Sequence, residues 1–167
     1  AELQAVAETY FSPSAEYASR YDGLGNAEII NTMYQNLFGR DAEPAGLLSW
    51  TGKLNTGEET FASIALQLSF SAQGTDADAI AAKISAANAF TTEVSADIDS
   101  IIGFSGNEAA ADSRAWLATV TDSASATSAI AGVAAAVDSS VAAGTAAAAP
   151  ANQSLTLTTA ADTGSSF

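Results

Sequence analysis

Apolar residues recur along most of the chain at intervals of three and four, which is the pattern of an amphipathic helix. The clearest stripe includes Ile30 and Met33 and begins just after Asn26, a residue type favoured as a helix N-cap. Gly39 follows the stripe and suits the left-handed conformation that ends many helices, and Pro44 fits the first turn of the next helix. The pattern therefore predicts two helices joined by a tight corner.

The same apolar spacing continues beyond this corner through most of the chain. Asp122 stands where an N-cap is expected, ahead of a single last helix with its own apolar stripe. Ile98, Ile101 and Ile102 are expected to continue the apolar contacts of the interior. We predict an all-α fold for residues 1–141, as a compact multi-helix bundle of about seven to nine short helices.

The pattern changes after residue 141. Residues 142–153 are rich in alanine and include a glycine and a proline, which is typical of a linker. Residues 154–167 open with a period-two alternation that predicts a β-strand, carried by Leu155, Thr156, Leu157 and Thr158. A lone strand needs a partner to be stable, so we expect these four residues to pair with another subunit or to begin a following β-domain.

Charge narrows the range of partners. The chain has 19 acidic and five basic residues and a formal net charge of -14 at pH 7. Such a chain mostly repels a phosphate backbone or an anionic bilayer, so we expect no nucleic-acid partner. All five cations precede residue 115 and could gather on one face, which the sequence leaves open. The most apolar stretch, residues 124–149, is built from small side chains and includes Asp138, so no membrane span is predicted.

Catalytic chemistry is restricted because the chain has no cysteine and no histidine. Thiolate and imidazole groups, and zinc sites with the usual ligands, are thereby excluded. Asp76 and Asp78, like Asp97 and Asp99, are two positions apart, and such positions point in different directions on a helix. We interpret both pairs as caps or solvated faces, and we predict no enzyme activity and no cofactor in this chain.

Four residues in and near the corner are candidate ligand contacts: Tyr34, Arg40, Trp50 and Lys53. An arginine can bind a sugar, a carboxylate or a phosphate, and an indole can stack on a sugar ring. The alternative is structural: Arg40 pairs with helix carbonyls or with the acids that follow it, and Trp50 anchors the core beside the leucines around it. Both interpretations are open at this point.

Several short motifs stand in the order and spacing of a known bacterial domain. They are Ser14-Ala15-Glu16-Tyr17, Tyr34 to Arg40, Asp41 to Gly46, Ala72 to Asp76, and Lys83 through Thr91. Through these motifs, residues from about 6 to 120 resemble a helical domain known as domain of unknown function 4214. The family usually has Asp at the position of Glu43 and often Tyr at that of Ser49. Glu43 is still expected to accept hydrogen bonds from N–H groups at the helix start.

The resemblance implies a location and a role. The family is common in secreted bacterial surface proteins with S-layer domains or RTX-type calcium-binding repeats, which implies an extracellular place at the cell surface. Calcium is implied for a longer parent chain or for subunit contacts. The leading hypothesis is a non-enzymatic surface module that adheres to lipopolysaccharide or another envelope polysaccharide, or that assembles a lattice with copies of itself or a parent chain. The alternative is a self-assembling subunit of a filament or matrix that pairs through its C-terminal strand.

Overall fold

The computed structural model describes residues 2–6, 9 and 20–148, and within these ranges the chain is all-α with no strand. The helices are α1 Glu2–Val6, α2 Asn26–Phe38, α3 Pro44–Thr56, α4 Phe61–Ser71, α5 Thr75–Ala96, α6 Ile98–Gly103, α7 Gly106–Ala118, α8 Ser123–Ala131 and α9 Val133–Ala148. The predicted all-α class is confirmed for this part of the chain. The strand predicted at Leu155, Thr156, Leu157 and Thr158 lies outside the described residues, as do residues 149–153 of the predicted linker.

The corner between α2 and α3 has the predicted caps. Gly39 ends α2 in the left-handed conformation with φ of 70°, and its N–H donates to the Gln35 carbonyl at 3.0 Å. Pro44 is the first residue of α3, which ends in its turn at Gly57 with the same φ. These glycines stop each helix where the chain must change direction, so local turn chemistry is sufficient to place the corner.

The start of α2 differs from the prediction. Asn26 lies in the first turn of the helix, and Gly25 is the N-cap. The Glu28 carboxylate accepts a hydrogen bond from the Gly25 N–H at 2.8 Å, so the cap is satisfied from the third helical position. The Asn26 amide donates instead to Asn55 Oδ1 at 2.7 Å, which joins the start of α2 to the end of α3.

Two apolar clusters form the interior of the described chain, and α5 contributes to both. The first gathers around Ile30 of α2 and Ile64 of α4, which are fully buried. The second is built mainly from small side chains around the fully buried Val120, with two alanines of α5. Ile80, near the start of the 22-residue α5, packs against the first cluster. This long helix therefore connects the corner helices with the C-terminal helices.

The prediction that Ile98, Ile101 and Ile102 lie in the interior is wrong. Their exposed fractions are 65%, 50% and 69%. The buried residue of α6 is Gly103, because α6 packs against α9 by close backbone contact. A Cβ on Gly144 of α9 would lie only 2.5 Å from the Gly103 carbonyl oxygen. Such a close approach leaves no room for large side chains between the two helices, so the isoleucines face solvent.

The single last helix predicted from the sequence is two helices. Asp122 caps α8 as predicted, accepting from the Ser125 N–H at 2.8 Å. Gly132, which has no Cβ to favour the helical conformation, separates α8 from α9 at a bend of 69°. The second helix runs on to Ala148, inside the predicted linker, because alanine has the highest helix propensity. No single described helix is long and apolar enough to cross a bilayer, and only α8 and α9 taken together across their bend meet that test.

Candidate functional site

Arg40 is the centre of the polar contacts in the corner. Its Nε and Nη2 atoms donate to the two carboxylate oxygens of Asp76 at 2.8 and 2.7 Å, a bidentate pair that joins the corner to the first turn of α5. Its Nη1 donates to the Asp41 carbonyl at 3.0 Å and pairs with Glu43 Oε1 at 2.6 Å. The hydrogen bonding to Asp76 is the largest cause that raises the Arg40 pKa above its ordinary value. Most donors of this guanidinium are thus engaged within the chain.

The expected role of Glu43 changes with this geometry. Glu43 is the N-cap residue of α3, but its side chain makes no capping hydrogen bond. Its carboxylate pairs with Arg40, because a glutamate is long enough to reach a guanidinium three positions away. The prediction that Glu43 accepts from N–H groups at the helix start is therefore wrong.

Asp41 holds the turn from the other side. Its Oδ1 accepts from Asn31 Nδ2 at 3.0 Å and from Gln35 Nε2 at 2.8 Å, and these hydrogen bonds lower the Asp41 pKa. The Asn31 Oδ1 accepts in turn from the Ala42 N–H at 2.9 Å. Side chains of α2 thus supply partners for the turn that follows it, which is how a short polar turn is held in one conformation.

Tyr34 belongs to the same framework. It is 5% exposed, and the Arg40 guanidinium carbon lies 5.4 Å from its ring centroid. Its hydroxyl approaches the backbone of α3 so closely that a Cβ on Gly46 would be 2.9 Å away. Of the four predicted ligand contacts, the structure therefore places Tyr34 and Arg40 inside the support of the corner.

Trp50 and Lys53 lie together on α3 and are both half-exposed. The Lys53 Nζ is 5.3 Å from the centre of the Trp50 ring and 3.5 Å from a Glu58 oxygen. The indole also packs against the first apolar cluster, which holds it in place. These two side chains are the predicted ligand contacts that solvent can reach.

A cleft of about 180 Å³ brings together positive side chains that are far apart in the sequence. Its lining residues come from the turn before α2, from α2 itself, from α5 and from α7: Arg20, Asn36, Lys83, Arg114, Leu117 and Ala118. Three of the five basic residues of the chain meet here, and no acid is among the described lining residues. Sequence reasoning missed this cation cleft because no local spacing links its members. The confinement of all five cations to residues before 115 was its visible signal.

Lys83 is the buried member of the cation cleft. It is 8% exposed, and its Nζ donates to the Leu117 carbonyl at 3.1 Å, near the C-terminal end of α7. Burial lowers the Lys83 pKa, because removing an ammonium group from water disfavours its charged form. A carbonyl at a helix C-terminus carries partial negative charge and offsets part of that cost.

The acids considered from the sequence do not converge. Asp76 is committed to Arg40, and Asp97 caps α6 by accepting from the Ser100 N–H at 2.9 Å. Asp78 lines a second, larger cleft of about 530 Å³ between α5 and α8. Within the described residues, no group of three or more acidic side chains gathers to hold a metal ion.

Comparison with known proteins identifies the type of domain. Residues 9–75 match the model of a family described as a domain of unknown function (DUF4214). The resemblance carried by the sequence motifs is thereby confirmed as to domain type, and the matched segment contains α2, α3, α4 and the beginning of α5. No curated protein and no solved structure matches the chain.

Proposed function

We propose that this protein, in which residues 9–75 are a domain of unknown function (DUF4214), is a non-enzymatic extracellular module of a bacterial surface protein of the S-layer or RTX type. In this proposal its role is to join copies of itself into a lattice at the cell surface. The family resemblance supports the location, and an exposed apolar face on α6 supports the role.

The observation that carries the proposal is the α6 face, formed by Ile98, Ile101 and Ile102. Their spacing of three and four places them on one side of the helix, and each is at least 50% exposed. Burial of apolar surface is favourable by about 25 cal/mol per Å², and a grouped apolar face on a water-exposed domain is typical of a contact surface. The contact between Gly103 and Gly144 holds α6 against α9, so the face is fixed before any partner arrives.

A second copy of the chain is the proposed partner, since a helix face can pair with its own copy around a twofold axis without any other complementary surface. Asp97 and Asp99 flank the α6 face, and each chain carries a net charge of -14, so copies repel one another at low ionic strength. Salt screens this repulsion, and association should therefore strengthen as salt is added. The described residues of one copy offer no acidic group fit to hold calcium, so the calcium implied by the resemblance is assigned to no site within it.

The experiment compares the full-length wild type with the triple variant Ile98→Ser, Ile101→Ser, Ile102→Ser by sedimentation velocity over a range of protein and NaCl concentrations. We expect the wild type to associate, more strongly with added salt, and the triple variant to stay monomeric. A matched control replaces Leu48 and Phe70, which are 77% and 76% exposed on other helices, with serine. A wild type that is monomeric under every condition, or a triple variant that associates equally well, would overturn the proposal.

The same measurement separates this proposal from pairing through the C-terminal strand. Removing residues 150–167 takes away Leu155 and Leu157 and leaves the α6 face in place. Association that survives this truncation favours the α6 face, whereas loss of association on truncation alone favours strand pairing. A parallel series in CaCl2 at matched ionic strength tests for a specific action of calcium at subunit contacts.

Adhesion to an envelope polysaccharide is the second candidate, and the pairing of Trp50 with Lys53 favours it. A half-exposed indole beside an ammonium group offers an apolar platform and a charged donor, which together suit a sugar ring. Binding to lipopolysaccharide or to a glycan array should fall for Trp50→Ala. The control Leu48→Ala changes an exposed residue of the same helix and should leave binding intact. Absence of binding to any surface polysaccharide would exclude this role.

A further inference from the structure

The cation cleft, lined by Arg20, Asn36, Lys83 and Arg114, has a chemistry that the proposed assembly through the α6 face does not use. We propose that it binds one small oxyanionic group, a carboxylate or a phosphate. The charge of its lining, the environment of Lys83 and the size of the cleft all favour such a ligand.

Positive charge is scarce in this chain, so its concentration at one place is informative. Three of the five basic residues line the cleft, whereas none of the 19 acids is among its described lining residues. At an ionic strength of about 0.15 M the Debye length is about 8 Å, so distant acids act weakly at the cleft while the three cations act directly. The local potential therefore favours an anion although the whole chain is negative.

Lys83 carries a charge that the described residues compensate only in part. It is 8% exposed, and among those residues its ammonium group has one hydrogen-bond acceptor, the Leu117 carbonyl at 3.1 Å. An ammonium group can donate three hydrogen bonds, and burying it without a carboxylate is costly. The lowered pKa of Lys83 agrees with this cost. An anion in the cleft supplies the missing interaction and favours the charged form.

Size and donor geometry define the class of ligand. A cleft of about 180 Å³ admits one small group rather than a long polymer segment. The guanidinium groups of Arg20 and Arg114 have planar N–H pairs that match two oxygens of a carboxylate or phosphate, and Asn36 adds an amide donor. The Arg20 guanidinium carbon lies 5.5 Å from the Tyr21 ring centroid, which limits its orientations. Leu117 adds an apolar wall that suits the carbon skeleton of an acidic sugar.

The test is an NMR titration of the full-length protein with sodium phosphate, sodium glucuronate and neutral glucose at constant ionic strength. We expect saturable shifts of the Lys83 and Arg114 amide signals with at least one anion and none with glucose. Saturation by phosphate alone identifies a phosphate ligand, and saturation by glucuronate alone identifies a sugar carboxylate. Binding should also raise the pKa of the Lys83 ammonium toward its ordinary value, which a lysine with only a capping role would not show.

Two variants remove a cation from the cleft without altering the buried lysine. Arg20→Gln and Arg114→Gln should each weaken binding by about tenfold, as expected for the loss of a charge-assisted hydrogen bond. Lys53→Gln removes the same unit of charge outside the cleft and should leave the dissociation constant unchanged. The absence of a saturable shift with either anion, or an equal loss in the Lys53 variant, would overturn the proposal. Self-association is not read out by this titration, so its failure leaves the assembly proposal standing.

Discussion

Arg40 and Asp76 are joined by two parallel hydrogen bonds of 2.8 and 2.7 Å, which tie the corner between α2 and α3 to the start of α5. The two residues are 36 positions apart, so the pair closes a long stretch of chain around the first apolar cluster. Their side chains are 35% and 21% exposed, which places the pair at the edge of the interior and leaves it partly screened by water. Its bidentate geometry is therefore the main source of its strength.

Arg40→Lys is predicted to reduce the free energy of unfolding by about 1–2 kcal/mol, because a lysine cannot form the paired hydrogen bonds to Asp76. Urea unfolding measures the loss. The control is Lys53→Gln, which breaks a 3.5 Å contact with the 63% exposed Glu58 side chain. Such a surface pair is worth about 0–1 kcal/mol. Equal effects of the two substitutions would contradict the structural role of Arg40.

Gly144→Ala is predicted to destabilise the fold, because the new Cβ would lie 2.5 Å from the Gly103 carbonyl oxygen and 2.7 Å from that of Ser105. Both atoms belong to backbone, so relief requires α6 and α9 to separate, at a cost of about 1–3 kcal/mol typical of overpacking. Gly52→Ala is the matched control, since nothing lies within 4 Å of its Cβ position in α3. The control should gain about 0.5–1 kcal/mol from helix propensity. Thermal or urea unfolding that shows a gain at both positions would refute the close helix contact.

Tyr34 and Gly46 are predicted to be energetically coupled. A Gly-to-Ala change in a helix normally adds about 0.5–1 kcal/mol, but a Cβ on Gly46 would be 2.9 Å from the Tyr34 hydroxyl. Gly46→Ala should therefore realise this gain only in a Tyr34→Phe background, where the hydroxyl is absent. A double-mutant cycle from urea unfolding measures the coupling, and strictly additive effects would show that the two groups do not meet.

Asp122 makes part of the stability depend on pH. The hydrogen bond from the Ser125 N–H is the main cause that lowers its pKa in the folded chain, whereas an unfolded aspartate has a pKa of about 3.9. Because the folded-state pKa is the lower one, this stabilisation is present above about pH 4 and is lost as pH falls through the folded-state value. Asp122→Asn keeps a capping oxygen that does not titrate. The wild type should melt at a higher temperature than this variant at neutral pH, and the two should converge in acid. A difference that does not change with pH would argue against the ionised cap.

Features set by neighbouring residues could be predicted from the sequence. Gly39 and Gly57 stop their helices, Pro44 begins α3 and Asp122 caps α8, because each role depends on backbone preference within a few residues. The exchange of Asn26 for Gly25 as N-cap is a local error, since Glu28 supplied the bond that an Asn side chain was expected to make.

Features set by distant residues could not be predicted. The apolar spacing of Ile98, Ile101 and Ile102 predicts that they share a face, but whether that face is covered depends on how closely Gly103 approaches α9. The cation cleft is a stronger case, because its members lie on separate helices and no spacing in the sequence connects them. Periodicity reports which residues share a side of a helix, whereas tertiary packing decides what that side meets.

The connecting role of α5 has a consequence for how this domain can diverge. The segment that matches the family ends at residue 75 and contains Arg20 and Asn36, whereas Lys83 and Arg114 lie beyond it. The cation cleft is therefore composite, with half of its polar lining inherited from the family and half supplied by the helices appended to it. A chain that kept the matched segment but exchanged its downstream helices would retain the corner and acquire a different cleft, so ligand preference can be recombined without rebuilding the domain.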